Sequence, residues 1–139
     1  MNIAFFLIPK HEVAVIDMES TVRQALEKME YHKYTAVPLI DDEGKYVGTL
    51  TEGDLLWFLK ERGTFNLQEL EELPLRLVPR RHDNKAIPIH AEMESIILQT
   101  TEQNFVPVID DQGIFIGIVR RREIIEFCAK ALFSEEKRR

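Results

Sequence analysis

The segment TAVPLIDDEGKYVGTLTEGDLLWFL, residues 35–59, returns 69 positions later as NFVPVIDDQGIFIGIVRRREIIEFC, residues 104–128, with eight of twenty-five positions identical. A duplication at a fixed offset constrains the fold more tightly than composition does, because one supersecondary unit must be built twice from diverged sequence. The shared frame is Val-Pro-x-Ile-Asp-Asp-x-Gly, a second Gly four residues on, and an apolar run that ends in Phe58 or Phe127.

Val37 to Ile40 and Val106 to Ile109 are short apolar runs halted by Asp-Asp-x-Gly, the pattern of a strand meeting a tight turn. Val47 to Leu50 and Phe115 to Val119 lead out of that turn. Each copy therefore predicts a hairpin, in which Pro38 or Pro107 restricts how the first strand pairs. A helix follows. Ile124, Phe127, Cys128, Ala131 and Leu132 share one face at helical spacing, whereas Leu55 to Leu59 are apolar all round and predict deep burial. Upstream, VAVI at 13–16 reads as a strand and Thr21 to Glu30 as a helix with Val22, Ala25, Leu26 and Met29 on one stripe. AIPI at 86–89 and Glu92 to Glu102 are their weaker counterparts, and Ile8-Pro9-Lys10 corresponds to Val78-Pro79-Arg80. The expected organisation is an α+β chain of two strand-helix-strand-strand-helix repeats. The first occupies residues 1–62. A helical linker at 63–76 sets Leu67, Leu70 and Leu73 on one side, and residues 77–139 form the second repeat, closing in a solvated tail, SEEKRR.

A chain of 139 residues buries roughly two-thirds of its unfolded surface, so a core needs no staples. Eighteen basic against 24 acidic residues leave a net charge of −6, which argues against a nucleic-acid partner. The apolar run Ile3 to Ile8 is too short to span a bilayer and lacks a basic leader and a cleavage site, so no membrane contact and a cytoplasmic location are expected. Cys128 is the only cysteine. It can form no internal disulfide, and its helical apolar neighbours predict a packed thiol.

Catalytic patterns are missing. His11, His32, His82 and His90 are scattered, and none forms His-Glu-x-x-His. His90-Ala-Glu92 is half of a zinc-deaminase signature whose Pro-Cys-x-x-Cys half is absent, and there is no Gly-rich phosphate loop. Neither an enzyme nor a metal site is expected.

The apolar-Pro lead-in, the VPxIDDxG hairpin and the Gly-x-x-Thr-x-x-Asp helix start cover nearly the whole chain and resemble a tandem of cystathionine-β-synthase-type (CBS) domains, a Bateman module. The resemblance implies two β-α-β-β-α repeats packed about a pseudo-two-fold axis and a homodimer formed through helices. It also implies a regulatory, non-catalytic role in which clefts between the repeats take adenosine derivatives. No cofactor is required; an adenine nucleotide is the regulatory ligand. GTLTEGD at 48–54 matches the family's ribose motif, which implies that Thr51 reaches the phosphate or ribose side. Asp54 would then accept hydrogen bonds from both ribose hydroxyls, a charged acceptor bridging two donors. The same Thr-x-x-Asp is equally a capping signal, with Thr51 as N-cap and Asp54 favoured by the helix dipole. In the second copy Arg120 replaces the hydroxyl and Glu123 the aspartate, so a second ribose site of the same kind is not implied.

Arg120, Arg121 and Arg122 stand where a strand gives way to a helix. A basic residue at a helix N-terminus is unfavourable by about 0.3–1 kcal/mol. Three together either point into water or meet an anion, and the planar guanidinium fork suits phosphate. Repeat symmetry favours the anion: a nucleotide whose ribose is held by Asp54 would send its phosphates toward Arg120, Arg121 or Arg122 of the other copy, with Lys10, Arg80 and Arg81 adding charge. The resemblance puts adenine between Val13-Ala14 and the strand start Tyr34-Thr35-Ala36-Val37-Pro38, where Tyr34 stacks on the base or else simply covers the hairpin. Asn104, Phe105, Val106 and Pro107 would line the second cleft. YTAVP, with the basic pair at the second helix start, is similar to stand-alone CBS pairs of Gram-positive bacteria that sense cyclic di-AMP, while Thr51 and Asp54 point equally to AMP or ATP. No fused effector domain is apparent, so output to an unidentified partner protein is expected. The rival reading is a ligand-free dimerisation scaffold. Under the ligand reading, Asp54→Ala and Arg121→Ala should each weaken binding by more than about tenfold and leave the melting temperature nearly unchanged.

Overall fold

A computed structural model describes residues 2–138, with side chains described as far as Ser134. In chain order the elements are β1 (Ile8–Pro9), β2 (Ile16–Asp17), α1 (Val22–His32), β3 (Ala36–Ile40), β4 (Tyr46–Thr51), α2 (Glu52–Arg62), α3 (Leu67–Glu71), β5 (Ile87–Pro88), α4 (Met93–Thr100), β6 (Phe105–Ile109), β7 (Phe115–Arg120) and α5 (Arg121–Arg138). Short 3-10 turns at Ile3–Phe6, Lys10–Glu12 and Leu75–Leu77 complete the set. The chain is mixed α+β, and its two sheets are ordered β2-β3-β4 and β1-β7-β6-β5.

Packing divides the chain into two compact units, one running from Ala14 to Asp83 and the other combining residues up to Val13 with those from Asn84 onward. The repeats read from sequence are bounded by similarity, whereas these units are bounded by who packs on whom. Residues 8–9 pair antiparallel with β7, Ile8 opposite Ile118 and Pro9 opposite Gly117. Residues 80–83 lie against β4 through polar contacts. Each unit thus contains one repeat's hairpin and the lead-in of the other repeat.

The hairpins form for the local reason their sequence announces. Asp41 Oδ1 accepts from the Glu43 and Lys45 N–H groups, both at 2.9 Å, and Asp110 Oδ1 from those of Gln112 and Ile114 at 2.8 and 3.0 Å. Gly44 and Gly113 take φ of 83° and 84°, a left-handed conformation that costs glycine nothing. Pro38 and Pro107 are tolerated in β3 and β6 because the parallel neighbours are short. β2 reaches only Leu39 and Ile40, and β5 only Val108 and Ile109.

Ile16, Val22, Ala25, Val37, Leu39, Leu50, Leu55, Leu70 and Leu75 form the core of the 14–83 unit. Ile3, Ile96, Val106, Val108, Val119 and Ile124 form that of the other. Three expectations are corrected. VAVI contributes only Ile16 to a strand. Within the run Leu55 to Leu59, Leu56 and Trp57 are 52% and 40% exposed, because one helical turn cannot turn every side chain inward. Cys128 is exposed rather than packed, as is Leu132 beyond it: of the predicted face, Ile124 enters the core and Phe127 is half-buried against Phe6, and the cover does not extend to the later positions. α5 continues to Arg138, through the segment expected to be a tail; whether the side chains of residues 135–139 are solvated lies outside the described residues.

Candidate functional site

In the 14–83 unit the strand start and the helix start come together. Ala36 lies opposite Thr51, and the Thr35 carbonyl accepts from the Glu52 N–H at 2.9 Å. Thr51 Oγ1 accepts from the Asp54 N–H at 3.1 Å, and Asp54 Oδ2 accepts from the Thr51 N–H at 3.0 Å. This reciprocal pair is a complete capping box. The other carboxylate oxygen, Oδ1, accepts from the Arg81 N–H at 3.1 Å. Asp54 is only 3% exposed. Both its oxygens therefore carry a backbone donor.

Arg81 reaches Asp54 because residues 80–83 cross β4 at very short range. Asp83 Oδ1 accepts from the Thr49 N–H and from Arg80 Nε, each at 2.9 Å, and Arg80 Nη2 donates to the Val47 carbonyl at 3.4 Å. Gly48 makes that crossing possible, since a Cβ there would stand 2.6 Å from Asp83 Oδ1 and 2.7 Å from Arg80 Nε. Arg80 is thereby occupied as a brace. Arg81 is exposed, with its guanidinium 5.0 Å from the Trp57 ring centroid.

The remaining predicted positions divide by burial. Tyr34 is 44% exposed and stacks on His32 with centroids 5.5 Å apart. Thr35 is exposed and Ala14 and Ala36 are half-buried, whereas Val37 and Pro38 are buried in the sheet.

In the other unit the Arg121 N–H donates to the Asn104 carbonyl at 2.9 Å, and Phe105 pairs with Arg120 across β6 and β7. Phe105, Val106 and Pro107 are buried, and Asn104 is exposed. Lys10, exposed, opens the turn that packs against β7, and half-buried Val13 donates its N–H to the Lys10 carbonyl at 3.0 Å.

The three consecutive arginines each meet a protein partner. Arg121 Nε donates to the Thr100 carbonyl at 2.7 Å, in the last turn of α4. Arg122 pairs with Glu126 at 3.1 Å, and Arg120 stands 3.9 Å from Glu123. The charge that opposes its own helix dipole is thus favourable for a neighbour, since α4 ends in orphan carbonyls. The Thr100 and Thr101 hydroxyls take the Ile97 and Leu98 carbonyls, each at 2.7 Å, and Arg121 takes the next one exposed. Arg121→Ala is accordingly expected to lower stability by about 1 kcal/mol, read by urea denaturation; an unchanged midpoint would remove this structural role.

Sequence reasoning missed Asp83, Trp57 and a buried amide pair. Gln103 Nε2 donates to the Lys85 and Phe105 carbonyls at 3.1 and 3.2 Å, and Asn84 Nδ2 to the Phe105 carbonyl at 3.1 Å. Amides in polar segments carry no periodic signal; the i,i+3 pairing of Arg80 with Asp83 was the one local hint. Among the described residues no group of three His, Cys, Asp or Glu side chains is placed to hold a metal ion. No described helix is long and apolar enough to cross a membrane.

Two stretches, residues 7–61 and 85–130, match the family model of the CBS domain. The chain belongs to the CBS-domain family and carries that domain in tandem. A CBS domain-containing protein of Dictyostelium discoideum is 23% identical over 123 residues, covering 84% of this chain and 85% of its own length. The chain spans only 19% and 21% of two Methanocaldococcus jannaschii enzymes that it also matches, L-aspartate semialdehyde sulfurtransferase at 26% identity and inosine-5'-monophosphate dehydrogenase at 24%. Among solved structures, CbpB in complex with c-di-AMP superposes with a TM-score of 0.85 at 23% identity, covering all of this chain and 91% of that one. CBSX2 in complex with AMP gives 0.69 at 24% identity, covering 94% and 97%.

Proposed function

We propose that the chain is a non-catalytic regulatory module that binds an adenine nucleotide, of the cyclic di-AMP or the AMP/ATP type, and passes the signal to a partner protein. The observation that carries this reading is the fold match over the whole chain to a CbpB solved with c-di-AMP, supported by the match to CBSX2 solved with AMP. The juxtaposition of exposed Tyr34 and Thr35 with the Thr51 to Asp54 helix start agrees with it. A bound nucleotide acts by favouring one of two states for which it has different affinity, and the partner reads the state.

The module acts as a homodimer in the cytoplasm. Leu56 and Ile125 occupy the same position in the two repeats and are 52% and 58% exposed, which leaves matching apolar helix faces for association. Exposed Cys128 suits a reducing compartment. One observation favours the ligand-free scaffold instead: the Asp54 carboxylate is buried and already capped by two backbone donors.

Calorimetry with AMP, ATP and cyclic di-AMP separates the two. Heat and a raised melting temperature are expected with at least one of them. Silence with all three, in heat and in thermal shift, leaves the scaffold.

A further inference from the structure

We propose that Arg81, braced by its neighbours and laid on Trp57, is a phosphate-gripping residue of the 14–83 unit. The inference deepens the nucleotide reading, on which the identity of the phosphate's carrier rests. It begins from a division of labour between two adjacent arginines. Arg80 has Nε on Asp83 Oδ1 at 2.9 Å and Nη2 shared between the Val47 carbonyl and Asp83 Oδ2 at 3.4 Å, so its fork is engaged inside the unit. Arg81 is held by its main chain alone, through the N–H on Asp54 Oδ1 at 3.1 Å. Among the described residues no ion pair or hydrogen bond engages its guanidinium.

That guanidinium is nevertheless placed. It stands 5.0 Å from the centroid of Trp57, and the Lys60 ammonium stands 5.3 Å from the same ring. A cation held over an indole face loses part of its rotamer freedom in advance, so less remains to be lost when an oxyanion arrives. Two cations gathered on one indole set up a positive field that favours an anion there. The nearby carboxylates do not compete. Asp83 is tied to Arg80 and to the Thr49 N–H, and the Asp54 carboxylate is buried under the Thr51 and Arg81 N–H groups. A phosphate monoester or diester is the anion whose geometry matches a planar two-donor fork.

Trp57 is the only tryptophan in the chain, so its emission reports directly on the ring beneath Arg81. The experiment titrates wild type, Arg81→Ala and Arg81→Lys with inorganic pyrophosphate, AMP and adenosine, reading Trp57 fluorescence and, in parallel, calorimetric heat. Alanine keeps the N–H that Asp54 holds, so the fold survives the change; circular dichroism checks it. Pyrophosphate and AMP should shift the emission of wild type, and Arg81→Ala should weaken both by about tenfold or more. Lysine should restore part of that loss, and adenosine affinity should not change. Equal weakening of AMP and adenosine would overturn the proposal, because Arg81 would then act on something other than phosphate. AMP heat indifferent to Arg81 overturns it too and leaves the nucleotide reading standing. An Arg81-dependent response to pyrophosphate without any nucleotide binding keeps the anion site and removes the nucleotide reading. No response to any of the three removes both.

Discussion

Gly117→Ala is expected to lower stability by about 3 kcal/mol, a fall of about 10 °C in melting temperature. A Cβ at this position would meet the Ile8 carbonyl oxygen at a separation real Cβ atoms do not show, and would lie 2.8 Å from Leu7 Cδ1. The obstacle is backbone, so no side-chain rotation relieves it. Relief comes only by pulling β1 off β7, which breaks the Ile8 to Ile118 pairing and uncovers Ile3, fully buried in the same core. Gly48 occupies the equivalent position in the first repeat and is the natural control. Its added Cβ would press on Asp83 Oδ1 and Arg80 Nε, the ends of side chains that can swing aside. Gly48→Ala should therefore cost only about 1 kcal/mol. Thermal and urea denaturation of both variants decide the matter, and equal losses would show that the segment crossing Gly117 is as yielding as the one crossing Gly48.

The hairpins were readable because Asp-Asp-x-Gly writes its own turn: the aspartate that accepts the turn N–H groups and the glycine that takes positive φ lie within four residues of each other. The helices after them were readable as helices but not in their burial. Periodicity says which residues share a face, and only the packed neighbours say whether that face is covered. Leu56, Trp57 and Cys128 are exposed for that reason. The arginine cluster shows the same limit in electrostatics. From sequence, Arg121 confronts only the dipole of its own helix, and an external anion is the obvious answer. The fold brings the end of α4 against it and supplies a carbonyl at 2.7 Å. Likewise Thr51 and Asp54 were legible both as cap and as ligand group, but the second donor to that carboxylate, the N–H of Arg81, lies 27 residues away. No local pattern encodes it.

Asp54→Ala is expected to cost about 3 kcal/mol, unlike the near-neutral effect on melting that the motif alone suggested. The substitution removes an N3 carboxylate from a complete capping box and orphans two N–H groups beside a residue that is 3% exposed. A lost cap costs about 1 kcal/mol and a buried donor left without a partner about 1–3 more. Asp54→Asn separates this structural duty from ligand contact. Its amide carbonyl still accepts one of the two donors, so about half of the stability loss should return. The amide gives a nucleotide's hydroxyls a neutral acceptor in place of a charged one. Were Asp54 a ribose contact, the asparagine variant would bind AMP more weakly than its partial recovery of stability implies. Were Asp54 only the anchor that holds residues 80–83 in place, affinity and stability would recover together. Denaturation midpoints and AMP titrations on the same two variants distinguish the cases, because an anchor acts on the ligand solely through the segment it holds.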